Sequence, residues 1–84
     1  MYNIMIVDDE ENIVSFIQES LKLEGFKTTV AYNGREALEK INEHIHLIIL
    51  DIKMPYSDGF EVAQSLSQSN IPIIFLTAKD NLDT

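Results

Sequence analysis

The 84-residue chain has no cysteine and no tryptophan, two prolines and three glycines, and six basic residues against 14 acidic ones. Without cysteine, neither disulfides nor thiolate metal sites are available, which fits a reducing cytoplasm. The shortage of positive charge leaves a net charge of −8. Such a chain has little with which to neutralise a phosphate backbone or anionic head groups, so direct binding to nucleic acid or a membrane surface is not expected. No apolar run approaches the ~18 residues of a membrane span. No basic leader precedes the first apolar run, so no signal peptide is expected. The GxxxxGK phosphate loop is absent, which excludes a P-loop nucleotide enzyme. No histidine accompanies a placed serine, so a Ser-His-Asp hydrolase has no support.

What is present is apolar: 45% of the residues are hydrophobic, too many for a disordered tail. The length fits one small domain, which buries about 60% of the surface its unfolded chain exposes. Short apolar runs alternate with helical periodicity. Ile4-Met5-Ile6-Val7 reads as a strand buried on both faces. Ile13, Phe16, Ile17 and Leu21 recur at helical spacing, and Gly25 supplies a stop. Phe26 to Tyr32 alternates as a second strand. Asn33 with Glu36 forms a capping-box-like start to a second helix with Ala37, Leu38 and Ile41 inward. Leu47 to Leu50 is the third strand, and Lys53 to Asp58 reads as loop. Phe60, Val62, Ala63 and Leu66 mark a third helix. Ile71 to Leu76 is a fourth strand, with Pro72 near its start where a missing N–H is tolerated. Asp80 to Thr84 begins a fourth helix. This β-α-β-α-β-α-β order predicts a doubly wound α/β fold with a parallel sheet and right-handed crossovers.

In such sheets sites lie at the carboxyl ends of the strands. The first strand ends in Asp8-Asp9, the third in Asp51 and the fourth in Thr77. If the first and third strands are neighbours, three carboxylates converge, and their repulsion calls for a retained proton or a bound cation. An all-oxygen set with few protein ligands suits Mg²⁺; Zn²⁺ fits less well because no His or Cys joins. Each residue also has a plainer reading: Asp8 and Asp9 as helix-capping acids, Asp51 as a solvated turn residue, Thr77 as a strand-end hydroxyl. Their coincidence at predicted strand ends favours a site. His44 and His46 read as solvated, and Lys79 as a surface or first-turn lysine.

The blocks IMIVDDE (Ile4–Glu10), LIILDIKMPYSDG (Leu47–Gly59) and IIFLTA (Ile73–Ala78), in this order, resemble the receiver domains of bacterial two-component response regulators, over the whole chain. The wording is most similar to receivers that precede a DNA-binding output domain. The resemblance implies a flavodoxin-like fold and a module that accepts phosphoryl on Asp51 from a histidine kinase or small phosphodonor, not an enzyme turning over a separate substrate. It implies Asp9 and Asp51 as direct Mg²⁺ ligands, Asp8 as a ligand acting largely through water, Lys53 as a backbone-carbonyl ligand and Thr77 as the switch hydroxyl. Phosphate-ester hydrolases with an aspartyl nucleophile want an acid two residues further on, where this chain has Lys53.

The family has five βα units in strand order 2-1-3-4-5, and residues 1–84 match four, giving 2-1-3-4. The family's lysine at the end of strand five is not matched, and Lys79 is not its equivalent. The fourth strand then becomes an uncharged apolar edge that invites pairing. The expectation is a truncated receiver that forms homo-oligomers or exchanges elements through this edge. The competing expectation is a non-switching receiver fragment that serves as a structural or assembly unit.

Overall fold

The computed structural model describes residues 1–51, 53–54 and 57–76. Its elements run β1 (Asn3–Val7), α1 (Glu11–Leu23), β2 (Lys27–Ala31), α2 (Gly34–Lys40), β3 (Leu47–Asp51), β4 (Lys53–Met54), β5 (Ser57–Asp58), α3 (Gly59–Leu66), a 3-10 turn (Ser67–Ser69) and β6 (Ile73–Leu76). Four strands form one sheet in the order β2-β1-β3-β6, with every pairing parallel. This is the expected 2-1-3-4 order, with β6 as the fourth strand. β1 and β3 are therefore neighbours.

Alternation along β1 and β3 divides their side chains between two faces. Met5 and Val7, paired with Ile48 and Leu50, enter one core with Ala31, Ala37, Ile45, Val62 and Leu66. α2 and α3 cover this face. Ile4 and Ile6 turn the other way and are also buried, and α1 packs across β1 and β2. Burial on both faces explains why the central strands read as unbroken apolar runs. Each fully buried side chain such as Ile48 or Leu50 contributes about 1.5–3 kcal/mol.

The ends of α1 and α2 follow local chemistry. Gly25 sits at φ +93°, and the N–H groups of Gly25 and Phe26 donate to the carbonyls of Lys22 and Leu21 at 3.0 and 3.1 Å. These two bonds form a Schellman motif, in which glycine avoids the Cβ penalty of the left-handed conformation. At α2 the Asn33 side chain accepts from the Glu36 N–H at 2.9 Å. Glu36 in turn accepts from the Tyr32 N–H at 2.9 Å, one residue earlier than the reciprocal bond of a standard capping box.

The structure departs from the sequence reading in several places. Val14, not Phe16, is the buried residue of α1, with exposures of 1% and 72%. Two positions on a helix lie about 200° apart, so a stripe centred on Val14, Ile17 and Leu21 turns Phe16 to solvent. Leu38 is 44% exposed, which leaves Ala37 as the inward contact of α2, while Ile41 caps the helix from just outside it. Lys53–Asp58 is not simply a loop: Lys53 pairs with Asp58 and Met54 with Ser57 in an antiparallel ladder. Strands of two residues are too short to leave a periodic signal. His46 is exposed as expected, but it is also held by the protein: its Nδ1 accepts from the Asn3 N–H at 3.0 Å, its own N–H donates to the Asn3 carbonyl at 2.8 Å, and its ring stands edge-on to Tyr2. The proposed fourth helix at Asp80–Thr84 lies outside the described residues.

Candidate metal and phosphoacceptor site

β1 and β3 deliver the site's residues to one end of the sheet. Val7 pairs with Leu50, so Asp8 and Asp51 are the next positions on neighbouring strands. The Asp8 N–H donates to the Ala31 carbonyl at 3.1 Å, which carries the β1–β2 ladder one residue past β1 and fixes the Asp8 main chain. Asp51 is the last residue of β3 and pairs with Leu76 of β6. Both carboxylates are 1% exposed. Buried carboxylates are rare without a partner or a task.

Asp9 completes the group. One oxygen from each of Asp8, Asp9 and Asp51 falls within 4.8 Å of the others. Asp9 Oδ1 is buried and has no hydrogen-bond partner among the described residues. An orphaned, buried carboxylate oxygen aligned with two further carboxylates is the donor set a hard divalent cation requires, with oxygen ligands and net negative charge. The residues present therefore fit Mg²⁺.

The capping reading of Asp8 and Asp9 is only partly met. The N-cap of α1 is Glu10, whose side chain makes no capping bond. Asp8 instead accepts the Glu10 N–H on Oδ1 at 3.0 Å, so Asp8 closes an Asx-turn ahead of the helix. The main-chain donor at Glu10 was invisible to residue-type reasoning, because every residue but proline carries one.

Of the other site candidates, Lys53 lies in β4, which follows Asp51 after one residue. Thr77 and Lys79 lie outside the described residues. His44 stays away from the site, with its Nε2 3.9 Å from the exposed Glu43 carboxylate.

The comparisons with known proteins agree with this geometry. The family model of the response regulator receiver domain matches residues 4–84. The chain belongs to the response regulator receiver family. Among its relatives, the Bacillus subtilis protein described as the uncharacterized transcriptional regulatory protein YrkP is 41% identical over 81 residues, covering 95% of this chain and 35% of that protein. The Escherichia coli K12 transcriptional regulatory protein CpxR is 38% identical over 80 residues, covering 94% of this chain and 34% of that protein. The receiver thus spans about a third of the length of these relatives. Among solved structures, response regulator TrrA from Thermotoga maritima in complex with Mg²⁺-BeF is 41% identical with a TM-score of 0.84, over 98% of this chain and 77% of that one. TrrA in complex with the histidine kinase ThkA is 40% identical with a TM-score of 0.86, over 100% of this chain and 75% of that one. Among the described residues no helix is long and apolar enough to cross a membrane.

Proposed function

We propose that this receiver domain binds Mg²⁺ through Asp8, Asp9 and Asp51 and accepts a phosphoryl group on Asp51. The observation that carries the reading is the three-carboxylate cluster with its orphaned Asp9 oxygen. Bound Mg²⁺ supplies charge neutralisation for an incoming phosphoryl group, the main requirement of such a transfer. The chain's own contribution is placement. β3 holds Asp51 at a buried strand end, where a carboxylate oxygen attacks phosphorus. The bond from phosphorus to the donor breaks, and its electron pair leaves with the imidazole of a phosphohistidine or the carboxylate of a small acyl phosphate. Asp51 is left as an aspartyl phosphate. The Lys53 carbonyl as a further metal ligand and the Thr77 hydroxyl as a responder to the phosphoryl group belong to this reading through the family match.

The complex of TrrA with ThkA supports a histidine kinase as the phosphodonor. The transcriptional regulators among the relatives support a transcriptional output elsewhere in a longer polypeptide, of which residues 1–84 are the receiver part, acting in the cytoplasm. Intact-mass measurement after incubation with acetyl phosphate and Mg²⁺ tests the reading. A phosphate-sized gain in the wild type that is absent in Asp51→Asn is expected, and no gain in the wild type overturns it.

The two outer strands of the sheet differ. β2 carries the exposed Lys27, and the Lys40 ammonium donates to the Val30 carbonyl, both of which discourage pairing. β6 is Ile-Ile-Phe-Leu, with Ile74 50% and Phe75 43% exposed. For residues 1–84 taken by themselves, apart from any longer polypeptide, we read β6 as a contact edge for a second copy or an exchanged element. Sedimentation of the 84-residue chain at micromolar concentration tests this, and a monomer refutes it.

A further inference from the structure

β2 pairs with β1 on one side only, so its other edge is an outer edge of the sheet. The Lys27 N–H donates to the Tyr2 carbonyl and the Ala31 carbonyl accepts the Asp8 N–H. Lys27, Thr29 and Ala31 therefore turn their main-chain groups toward β1. These groups alternate in direction along a strand, so those of Thr28, Val30 and Tyr32 point away from the sheet. Two side chains of α2 meet them there. The Lys40 ammonium donates to the Val30 carbonyl, and the Glu36 carboxylate accepts the Tyr32 N–H at 2.9 Å. Glu36 and Lys40 stand one helical turn apart, the spacing at which opposite charges pair with each other on a helix. Here each reaches the neighbouring main chain instead.

We propose that Glu36 and Lys40 form a two-point clasp that closes β2 to strand addition, and that the partner it excludes is β2 of a second copy, paired antiparallel about a two-fold axis at Thr29. In that pairing Thr28 of each copy exchanges both main-chain bonds with Val30 of the other. The next pair outward brings the Tyr32 N–H to Phe26 of the other copy. Lys27 falls opposite Ala31, so like charges are not opposed. A two-fold pairing uses the same patch on both chains and closes on itself. The clasp fills the Val30 acceptor with an ammonium and the Tyr32 donor with a carboxylate, which are the positions this ladder needs. An unpaired edge otherwise templates such pairing. Helix capping by Glu36 does not account for the arrangement, because capping ends at Tyr32 and leaves Val30 untouched.

The chain has no cysteine, so a single Thr29→Cys substitution reports this contact. At the two-fold axis the two Cβ atoms stand about 4.5–5.5 Å apart, within reach of a disulfide after a small adjustment. Association through β6, at the far side of the sheet, leaves them apart. The substitution removes the Thr29 hydroxyl bond to Asn3 equally in every chain compared. Under oxidation at micromolar concentration, linked dimer should form about tenfold faster when Lys40→Met is added, the ratio for one lost charged hydrogen bond. With Lys40→Arg, which keeps a donor, the rate should stay that of Thr29→Cys alone. Equal rates with and without Lys40→Met overturn the inference, as does a Lys40→Arg chain that links as fast as the Lys40→Met one. Hydrogen exchange gives a second readout without cysteine. In Lys40→Met the Thr28 and Val30 amides should gain protection as concentration rises, and in the wild type they should not. Protection in the variant that is independent of concentration overturns the proposal.

Discussion

Replacing Asp9 by Asn should stabilise the metal-free protein while removing most of its response to Mg²⁺. One oxygen from each of three carboxylates lies within 4.8 Å of the others. At that separation two unit charges repel by about 3.5 kcal/mol for an effective dielectric of ~20. Asp9 has two such neighbours, but its side chain is partly exposed, so screening removes half or more of the sum. Asn also offers two N–H donors where the buried Asp9 Oδ1 has no partner among the described residues. Together these give an expected gain of about 1–3 kcal/mol without metal. For a domain of this size each kcal/mol raises Tm by roughly 4–8 °C. With Mg²⁺ the order reverses. A ligand at 100 times its Kd stabilises the wild type by about 2.7 kcal/mol, whereas the variant has lost the negative charge that makes Asp9 a strong ligand and keeps only a neutral amide oxygen. Urea unfolding followed by circular dichroism, in EDTA and across a Mg²⁺ series, measures both effects. An Asp9→Asn chain that is less stable than wild type in EDTA, or that gains as much from Mg²⁺, refutes the reasoning.

Two further outcomes test the packing that supports the site. Val14→Ala should destabilise by about 2 kcal/mol through lost burial and a residual cavity, while Phe16→Ser should stay within ~0.5 kcal/mol because that ring is exposed; paired denaturation curves decide, and equal effects would mean that the α1 stripe is misassigned. His46→Ala should remove the acceptor of the Asn3 N–H, lowering stability by about 1 kcal/mol and speeding hydrogen exchange at the Asn3 amide, which unchanged exchange would contradict.

The central strands and the carboxylate-tipped strand ends were legible in the sequence because each depends on residue type at a strand end or in an apolar run, whereas the strand order that brings the carboxylates together came from the family resemblance alone. Ile4–Val7 and Leu47–Leu50 carry their burial in their composition, and Asp8, Asp9 and Asp51 stand where those runs stop. Where the signal lay in geometry, the reading failed. Phe16 and Val14 are both apolar and both close to the helical period, and only the position of β1 and β2 under α1 decides which is covered. His46 is exposed, as its solvated reading has it, but nothing local shows that Asn3, 43 positions earlier, presents its N–H to the imidazole. The β4–β5 ladder is too short to have a period. The Glu10 amide has no sequence signature at all.

The register of the central strands, rather than the length of their connections, should decide whether the cluster exists. Val7 faces Leu50, and a slip of one residue would carry Asp51 about 3.3 Å along its strand and exchange the faces of the strand's side chains. Ile48 and Leu50, both at 0% exposure, would leave the core shared with α2 and α3. Mg²⁺ requires oxygens at ~2.1 Å, so a shift of that size dismantles the site. Buried side chains hold the register, and the exposed turn before Ile45 does not. A glycine inserted between Glu43 and His44 should therefore change stability by less than ~1 kcal/mol, since loop length enters only logarithmically, and should leave the Mg²⁺ response intact. A glycine inserted between Ile48 and Ile49 has no such slack, because a parallel ladder rarely accepts a bulge. It should abolish the Mg²⁺ response even in the fraction that folds. Thermal unfolding of both insertions with and without Mg²⁺ separates the cases. A folded loop insertion that no longer responds to Mg²⁺, or a strand insertion that still does, would show that something other than the β1–β3 register sets the spacing of Asp8 and Asp51.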